Sequence, residues 1–445
     1  MWCNMALTTL FIDFNSYFAS VEQQVTPALR GRPVAVTPVL APTGCCIAAS
    51  YEAKKFGVKT GTRVGEAKAL CPDIQFVRGR PRLYVIMHNR LLKAIDTCIP
   101  VHAVHSIDEM SCRLSRTERS PEAAHDLALR IKKAIKERCG VCMRCSIGIA
   151  PSRVLAKLGT DMHKPDGLVI LTEETLRDTI GHLGVQELSG IGPQMTKRLE
   201  RGGIRTIGEL MDKSEREMTA LWGGVLGSRW HHWLLGHEVH EPRTHKSSIG
   251  HQHVLAPDVR HSDAARAVAF RLMLKAAARM RHDNYAAKKL TLGINFLGRP
   301  DALTTWSSGT HWTRTVSLGT ACTDTPTMLD AVSAMWKDIP KETPILVSVT
   351  LHDLVTPTSQ TLPLFREEAK RADLSKAMDK VNAKFGANTV YPANIHGAKK
   401  HAGGGIAFNY VPNLEVTDSV GEFMTGEERR MSDEELEGLI EGSLG

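Results

Sequence analysis

Val101-His102-Ala103-Val104-His105-Ser106-Ile107-Asp108-Glu109-Met110-Ser111-Cys112-Arg113-Leu114 reads as two apolar, alternating segments with a pair of acids between them. Far upstream, another apolar run, Leu10-Phe11-Ile12, ends in Asp13. Carboxylates at strand ends are poor packing material, because burying an unpaired charge costs several kcal/mol. If the Leu10 and Val101 strands are neighbours in one sheet, Asp13, Asp108 and Glu109 project from the same sheet end. Three convergent carboxylates suit two divalent cations, the device that drives in-line phosphoryl transfer. On these residues alone the simpler alternative, acids facing water in a loop, stays open.

Outward from these strands the pattern is that of a multi-domain α/β protein. Leu7 to Asp13 reads as a strand, and Ser16 to Gln24 as a helix with Tyr17, Phe18 and Val21 on one side. Short runs follow: Val34 to Val36, Cys45 to Ala49, a helix from Tyr51 stopped at Gly57, and another from Glu66 to Leu70. Leu83 to Ile99, Ala123 to Glu137 and Ser152 to Met162 carry helical periodicity, so residues 1 to about 171 form one α/β unit with residues 28–80 inserted. From Glu173 to about 240 the pattern changes to short helices. Val268 to His282 is a long helix, and Lys289 to Phe296, Thr313 to Leu318 and Pro344 to Leu351 alternate like strands. They imply a second, smaller α/β domain beyond the polar linker Glu241 to Lys246. Asp373 to Phe385 reads as a helix, and the acid-rich stretch from Glu415 to Gly445 is expected to be disordered.

The net charge of +8 favours a polyanionic partner without proving one. No apolar run approaches the ~20 residues of a membrane helix, and the N-terminus lacks the pattern of a secretory signal, so a cytoplasmic protein is expected. Cys139-x-x-Cys142-x-x-Cys145 superficially resembles a metal-binding run. Cys142 to Ile149 reads as a buried strand, however, which puts Cys142 and Cys145 on opposite faces. Structural thiols are expected instead.

Asp13-Phe14-Asn15-Ser16-Tyr17-Phe18-Ala19-Ser20-Val21-Glu22 together with Ser106-Ile107-Asp108-Glu109 closely resembles the two catalytic motifs of Y-family DNA polymerases, the translesion enzymes. The likeness continues through Ala49 to Val58, Ser146 to Ala150 and Leu155 to Gly167, in the family's order and spacing. With the C-terminal domains it covers roughly residues 6 to 365. The branch it resembles is that of bacterial DNA polymerase IV and UmuC. It implies a right-hand architecture: palm (1–27 and 81–171), fingers (28–80), thumb (172–240), little finger (247–353) and tail (354–445).

The resemblance implies roles position by position. Asp13 and Asp108 match the ligands of two Mg²⁺ ions, for which Mn²⁺ can substitute, with the Phe14 carbonyl contributing. Glu109 matches the catalytic acid that holds an ion on the primer 3′-hydroxyl. Phe18 matches the steric gate that excludes a ribose 2′-hydroxyl, with Tyr17 beside it. Tyr51, Lys54 and Lys164 match the contacts to the incoming triphosphate, whose growing charge needs a cluster of donors. Three positions depart from the common pattern. Lys54 stands where many relatives have Arg, so a bidentate fork becomes a point charge and nucleotide binding is expected to weaken. Ala48 replaces a hydroxyl residue. Asn15 stands where the polymerase IV branch usually has Asp, which is closer to UmuC.

In Leu188-Ser189-Gly190-Ile191-Gly192-Pro193, running on to Lys197, a Gly-x-Gly turn opens a basic helix. That exposes backbone N–H groups suited to one DNA phosphate without base specificity. It resembles the helix-hairpin-helix of the Y-family thumb. Lys246, Ser247 and Ser248, with Lys288 and Lys289, are the expected phosphate contacts of the little finger. Gln360-Thr361-Leu362-Pro363-Leu364-Phe365 resembles the peptide that docks in the bacterial sliding clamp, with Gln360, Leu362, Leu364 and Phe365 as anchors.

The expected function is template-directed, low-fidelity synthesis on primer-template DNA from dNTPs, by a monomer that docks on the sliding clamp and not on membranes. The fingers run is too short for a large closing helix, and Gly44, Cys45, Ala48 and Gly61 leave room for a damaged base. The alternatives are a non-catalytic, polymerase-shaped adaptor binding DNA and clamp, and a nucleotide cyclase with a similar core. Retention of all three carboxylates weighs against the first. The thumb-like turn and the clamp-like peptide weigh against the second.

Overall fold

The computed structural model describes residues 6–38, 40, 44–239, 245–297, 310–356, 366–386, 389–398 and 431–444. The chain begins with β1 (Thr9–Phe14) and α1 (Tyr17–Val25). A small unit follows: β2 (Val34–Thr37), β3 (Ala48–Ala49), α2 (Tyr51–Lys54), α3 (Val64–Leu70) and β4 (Gln75–Arg78). The chain returns through α4 (Pro81–Asp96), β5 (Val101–Val104), β6 (Glu109–Arg113) and α5 (Pro121–Cys139). β7 (Cys145–Ala150), α6 (Arg153–Met162) and β8 (Leu168–Ile170) complete this domain.

Next come α7 (Glu173–Ile180), α8 (Pro193–Arg201), α9 (Ile207–Met211), α10 (Glu215–Trp222) and α11 (Val225–Leu234). The third region contains β9 (Ser248–Val254), α12 (Ser262–His282), β10 (Ala286–Phe296), β11 (His311–Cys322), α13 (Thr325–Trp336) and β12 (Pro344–Val355). α14 (Arg366–Phe385), a 3₁₀ segment (Ala393–Ala398) and a C-terminal helix (Asp433–Gly442) follow.

The first sheet has the order β5-β6-β1-β7-β8, with only the β7–β8 pair parallel. β1 lies inside it and is buried along its whole length. Leu10, Ile12 and Phe14 join the core with α1, α4 and α5, while Phe11 packs on the opposite face with α6. Burial on both faces is why β1 reads as a continuous apolar run rather than an alternating one. α6 lies close on β7 because Gly148 has no side chain: a Cβ there would stand 2.0 Å from the Ala156 carbonyl oxygen. The inserted unit has its own three-stranded sheet, β3-β2-β4, over a small core of Ala35, Cys46, Ala53 and Val58.

The thumb-like helices rest on α6. The Ser152 hydroxyl, at the N-cap of α6, donates to the Trp233 carbonyl at 2.7 Å. The last sheet, β11-β10-β12-β9, is wholly antiparallel and backed by α12 and α13.

Four sequence expectations are corrected. The neighbour of β1 is β6, not the Val101 strand, which lies one place further out as β5. Cys142 precedes its strand, so only Cys145 takes part in the sheet. The residues after 365 are not simply a tail. Arg281 grips Asp379 of α14 with two hydrogen bonds of 2.6 and 2.9 Å, and Ile395 is fully buried against the last domain. The acid-rich end, expected to be disordered, forms the C-terminal helix, with Leu436 and Ile440 buried in the first domain.

Candidate active site

The antiparallel pairing of β1 with β6 places Asp13 directly opposite Glu109, and on its other side opposite Ser146. Asp13 ends β1 and Glu109 begins β6, so the two acids and Asp108 share one sheet end. The link is tightened by the backbone: Phe14 N–H donates to the Asp108 carbonyl at 2.9 Å. Ser106 Oγ donates to Asp108 Oδ1 at 2.5 Å. Burial, and then the charges of Asp13 and Glu109, outweigh that hydrogen bond and push the Asp108 carboxyl up to about 6. Like-charge crowding of this kind is characteristic of sites that hold cations.

Lys157 and Lys164 neutralise the cluster. Lys157 Nζ contacts Asp13 Oδ2 and lies 2.9 Å from Glu109 Oε1 and 3.4 Å from Asp161 Oδ1. Lys164 Nζ lies 2.9 Å from Asp13 Oδ2 and 2.8 Å from Asp161 Oδ1. Burial alone would lower the Lys157 pKa, but the carboxylates of Asp13, Glu109 and Asp161 carry it above the ordinary lysine value. Among the described residues no three His, Cys, Asp or Glu side chains stand together as a ready metal site. The oxygens that would ligate a cation are shared by ammonium groups instead. All-oxygen donors with excess negative charge fit a hard divalent cation.

Opposite the acids stands the small inserted unit. Ser50 caps α2 by accepting the Ala53 N–H, which fixes Tyr51 at the first helical position. Lys54 Nζ lies 4.4 Å from the centre of the Tyr51 ring. Partial desolvation and the neighbouring Lys164 cation lower the Lys54 pKa, with Asp13 opposing. Two lysines that repel each other make a place for a polyanion. Arg144 adds a third cation that acts on Tyr51. Beneath them Phe18 is 4% exposed, its ring 4.7 Å from that of Tyr84 and tilted by 38°. Tyr17 is buried as well, its hydroxyl donating to the Tyr84 carbonyl at 2.6 Å, so its phenol is occupied by packing.

Residues 12–161 match the impB/mucB/samB family model, and residues 246–364 match that family's C-terminal domain. The DNA polymerase IV of Moorella thermoacetica is 33% identical over 395 residues, covering 86% of this chain and 95% of the relative. That of Pelotomaculum thermopropionicum is 31% identical over 404 residues, covering 87% and 95%. The chain belongs to the DNA polymerase IV family. It is, with that family, a translesion-type DNA-directed DNA polymerase. A solved Y-family polymerase chimera of Dbh and Dpo4 has the same fold, with a TM-score of 0.63 at 22% identity, covering 78% of this chain and 99% of the chimera.

Within this family member the remaining expected contacts fall as follows. Gly190 adopts φ +105°, a left-handed value that favours glycine, and its turn packs on Trp230. Gly192 is the N-cap of α8, Pro193 its first residue, and Lys197 is exposed along it. Lys246 Nζ pairs with Asp283 at 2.5 Å and Lys289 with Asp353 at 2.9 Å, while Ser247 and Ser248 are exposed at the start of β9. The clamp-like peptide, Gln360, Leu362, Leu364 and Phe365 included, lies outside the described residues.

Sequence reasoning missed Lys157, Asp161 and Arg144. Lys157 and Asp161 sit inside the quoted block Leu155 to Gly167. The available signal was a lysine on the buried side of an otherwise apolar helix turn. Asn15, by sequence a marker of the family branch, also has a structural role. The Asn15 side chain accepts the Asp166 N–H at 2.7 Å and donates to Ser146 Oγ at 3.0 Å, tying the Lys164 loop to the end of β1.

Proposed function

We propose that Asp13, Asp108 and Glu109, with the Phe14 carbonyl, hold two Mg²⁺ ions and that the chain adds dNTPs to a primer 3′-hydroxyl on template DNA. The observation that carries this reading is the Asp13–Glu109 pair at one sheet end, facing the Tyr51–Lys54 helix across Lys164. When bound, the two ions supply charge stabilisation at the attacking and leaving oxygens. Mn²⁺, with similar oxygen chemistry, can replace Mg²⁺.

The protein's own groups do the rest. Lys54, Lys164 and the Tyr51 hydroxyl orient the triphosphate and offset the charge that grows on the departing pyrophosphate. Lys157 keeps the carboxylates together before the ions arrive. The Phe18 ring, wedged on Tyr84, closes the space a ribose 2′-hydroxyl would need. Donors from two separate bodies, the fingers and the palm, line the triphosphate site, so nucleotide binding depends on how those bodies are held together.

The short fingers, with α2 and α3 as their only α-helices among the described residues, lack a long element to close over the nascent pair. That supports low fidelity and tolerance of a damaged template base. The Gly190–Gly192 turn and Lys197 would grip one backbone phosphate, and Lys246, Ser247 and Ser248 others, in each case without base readout. Leu362, Leu364 and Phe365 would dock on a sliding clamp as apolar anchors, with Gln360 supplying a polar contact. A monomer acting in the bacterial cytoplasm completes the reading. Among the described residues no helix is long and apolar enough to cross a membrane.

The test is primer extension past an abasic site with Mg²⁺ and dNTPs. Extension beyond the lesion by the wild-type chain is expected. A block at every lesion, with normal extension of undamaged template, would refute the translesion reading.

A further inference from the structure

Three consecutive buried side chains at the end of α1 organise the junction between palm and fingers. Glu22, fully buried, accepts from Arg80 Nε at 3.1 Å and from the Tyr84 hydroxyl at 2.7 Å. Gln23 Nε2 donates to the Arg32 carbonyl at 3.1 Å and to Glu52 of the fingers at 3.1 Å. Gln24, also fully buried, accepts the Cys142 N–H at 3.0 Å and donates to the Ser443 carbonyl at 2.8 Å. The last of these partners belongs to the far end of the chain.

The C-terminal helix docks behind this junction. Leu436 and Ile440, one turn apart, are both fully buried in the palm core. Around these anchors the contacts are charged: Arg82 Nε meets Asp433 at 2.6 Å, and Arg90 Nη1 meets Glu441 at 3.4 Å. Arg30 Nη2 donates to the Ser443 carbonyl at 2.5 Å and to the Gln24 carbonyl at 3.1 Å. Arg30 stands where the chain leaves the palm for the fingers, and Arg82 where it has just come back. The helix therefore spans both strands of the fingers hinge. Through Gln24 it also reaches the loop before β7, whose Arg144 carbonyl accepts the Asn15 N–H at 2.9 Å beside the catalytic acids. It lies beyond both family-model matches.

We propose that the C-terminal helix is an intramolecular brace: residues 431–444 of the same chain fill an apolar groove behind α1 and α4 and fix the fingers on the palm in the geometry that binds nucleotide. The charge match decides the occupant. Asp433 and Glu441 meet Arg82 and Arg90 while Arg30 grips the Ser443 carbonyl at the helix end, and the buried pair Leu436 and Ile440 has the i,i+4 spacing of a helix-in-groove anchor. The brace acts on the nucleotide site from behind, because Tyr51 and Lys54 ride on the fingers whereas Lys164 and Asp13 belong to the palm. Its effect on nucleotide use rests on the polymerase reading, but its seating on the palm does not.

The test uses the full-length chain carrying Leu436→Glu with Ile440→Glu. Hydrogen exchange is expected to show lost protection in residues 431–444 and at the Cys142 amide, with the little finger unchanged. On undamaged primer-template, the KM for dNTP is expected to rise about tenfold with kcat within about twofold, as a coupling between two bodies requires. Asp433→Arg is expected to reproduce part of the KM rise, and adding Arg82→Asp to reverse it. A merely structural helix would not give that KM-selective, charge-reversible pattern. Unchanged protection overturns the seating. Lost protection with unchanged KM overturns the bracing role while leaving the polymerase reading intact. Exchange of the helix between copies, seen as a concentration-dependent dimer, overturns its assignment to the same chain.

Discussion

Replacing Lys157 by Met tests what holds the catalytic acids together. The ammonium stands 2.9 Å from Glu109 and 3.4 Å from Asp161, touches Asp13, and belongs to a residue only 9% exposed. At an effective dielectric of ~20, one unit-charge pair at ~3 Å is worth about 5 kcal/mol. Desolvation of the ammonium offsets several kcal/mol of that, so the pairs contribute little net stability against an apolar replacement of both partners. Removing the lysine alone is different, because it takes the ammonium from Glu109 and leaves Asp13 and Asp161 to Lys164 alone, at a cost near the low end of the about 3–5 kcal/mol of a broken buried pair.

A divalent cation restores the balance in the variant, whereas in the wild type it must compete with the ammonium. Lys157→Met is therefore expected to lose about 3 kcal/mol in EDTA at neutral pH. It is also expected to recover more of its stability in saturating Mg²⁺ than the wild type gains. Urea unfolding followed by circular dichroism, with EDTA or with MgCl₂, reads both quantities. An EDTA midpoint equal to that of the wild type, or an equal gain from Mg²⁺ in both chains, would refute the reasoning.

The Asp108 carboxyl, raised from 3.8 to about 6 by burial and by Asp13 and Glu109, makes the metal-free protein sensitive to pH. The folded state then binds more protons than the unfolded chain between about pH 4 and 6, so this group's contribution to stability falls as pH rises through that window. Asp108→Asn is expected to flatten that slope and to stabilise the metal-free protein at neutral pH by about 1–2 kcal/mol, read by urea titrations from pH 4 to 7. Lys54→Arg should restore a bidentate phosphate contact and lower the nucleotide KM several-fold; an unchanged KM in steady-state kinetics would contradict the role given to Lys54. Phe18→Val should open the space beneath the sugar. Discrimination against ribonucleotides, measured as a ratio of kcat/KM values, is expected to fall by about two orders of magnitude.

The acids of the site were legible because carboxylates at the ends of apolar strands have few structural uses, and their order matched a known pattern. Strand adjacency was less legible. A run such as Val101 to Val104 shows that a strand exists, but the hairpin that follows it decides which arm meets β1. Lys157 was missed because a single lysine on a helix usually reads as solvated. Only the close approach permitted by Gly148 brings it under Asp13 and Glu109. β9, with the sequence Ser-Ile-Gly-His-Gln-His-Val, does not read as a strand because its polar residues hide the alternation, and only Ser248 at its start stands out, as a phosphate contact. The α13 helix escaped notice behind Thr325-Pro326.

The end of the chain posed a different difficulty. Its acid content suggests disorder, and its few apolar residues, Met431, Leu436, Leu439, Ile440 and Leu444, are too sparse among acids and glycines to mark a core. Their partners lie on α1, α4 and α5, hundreds of residues away, where no local period can announce them. The polar trio Glu22, Gln23 and Gln24 was opaque for the same reason: each is satisfied by a different distant segment.

Single-turnover incorporation of one dNTP by Asp108→Asn, with DNA binding measured alongside, tests the role of the carboxylates most directly. Loss of about three or more orders of magnitude in rate, with primer-template affinity unchanged, is the result predicted if the carboxylates at the end of β1 and β6 carry the chemistry. Incorporation at near wild-type rate would contradict it.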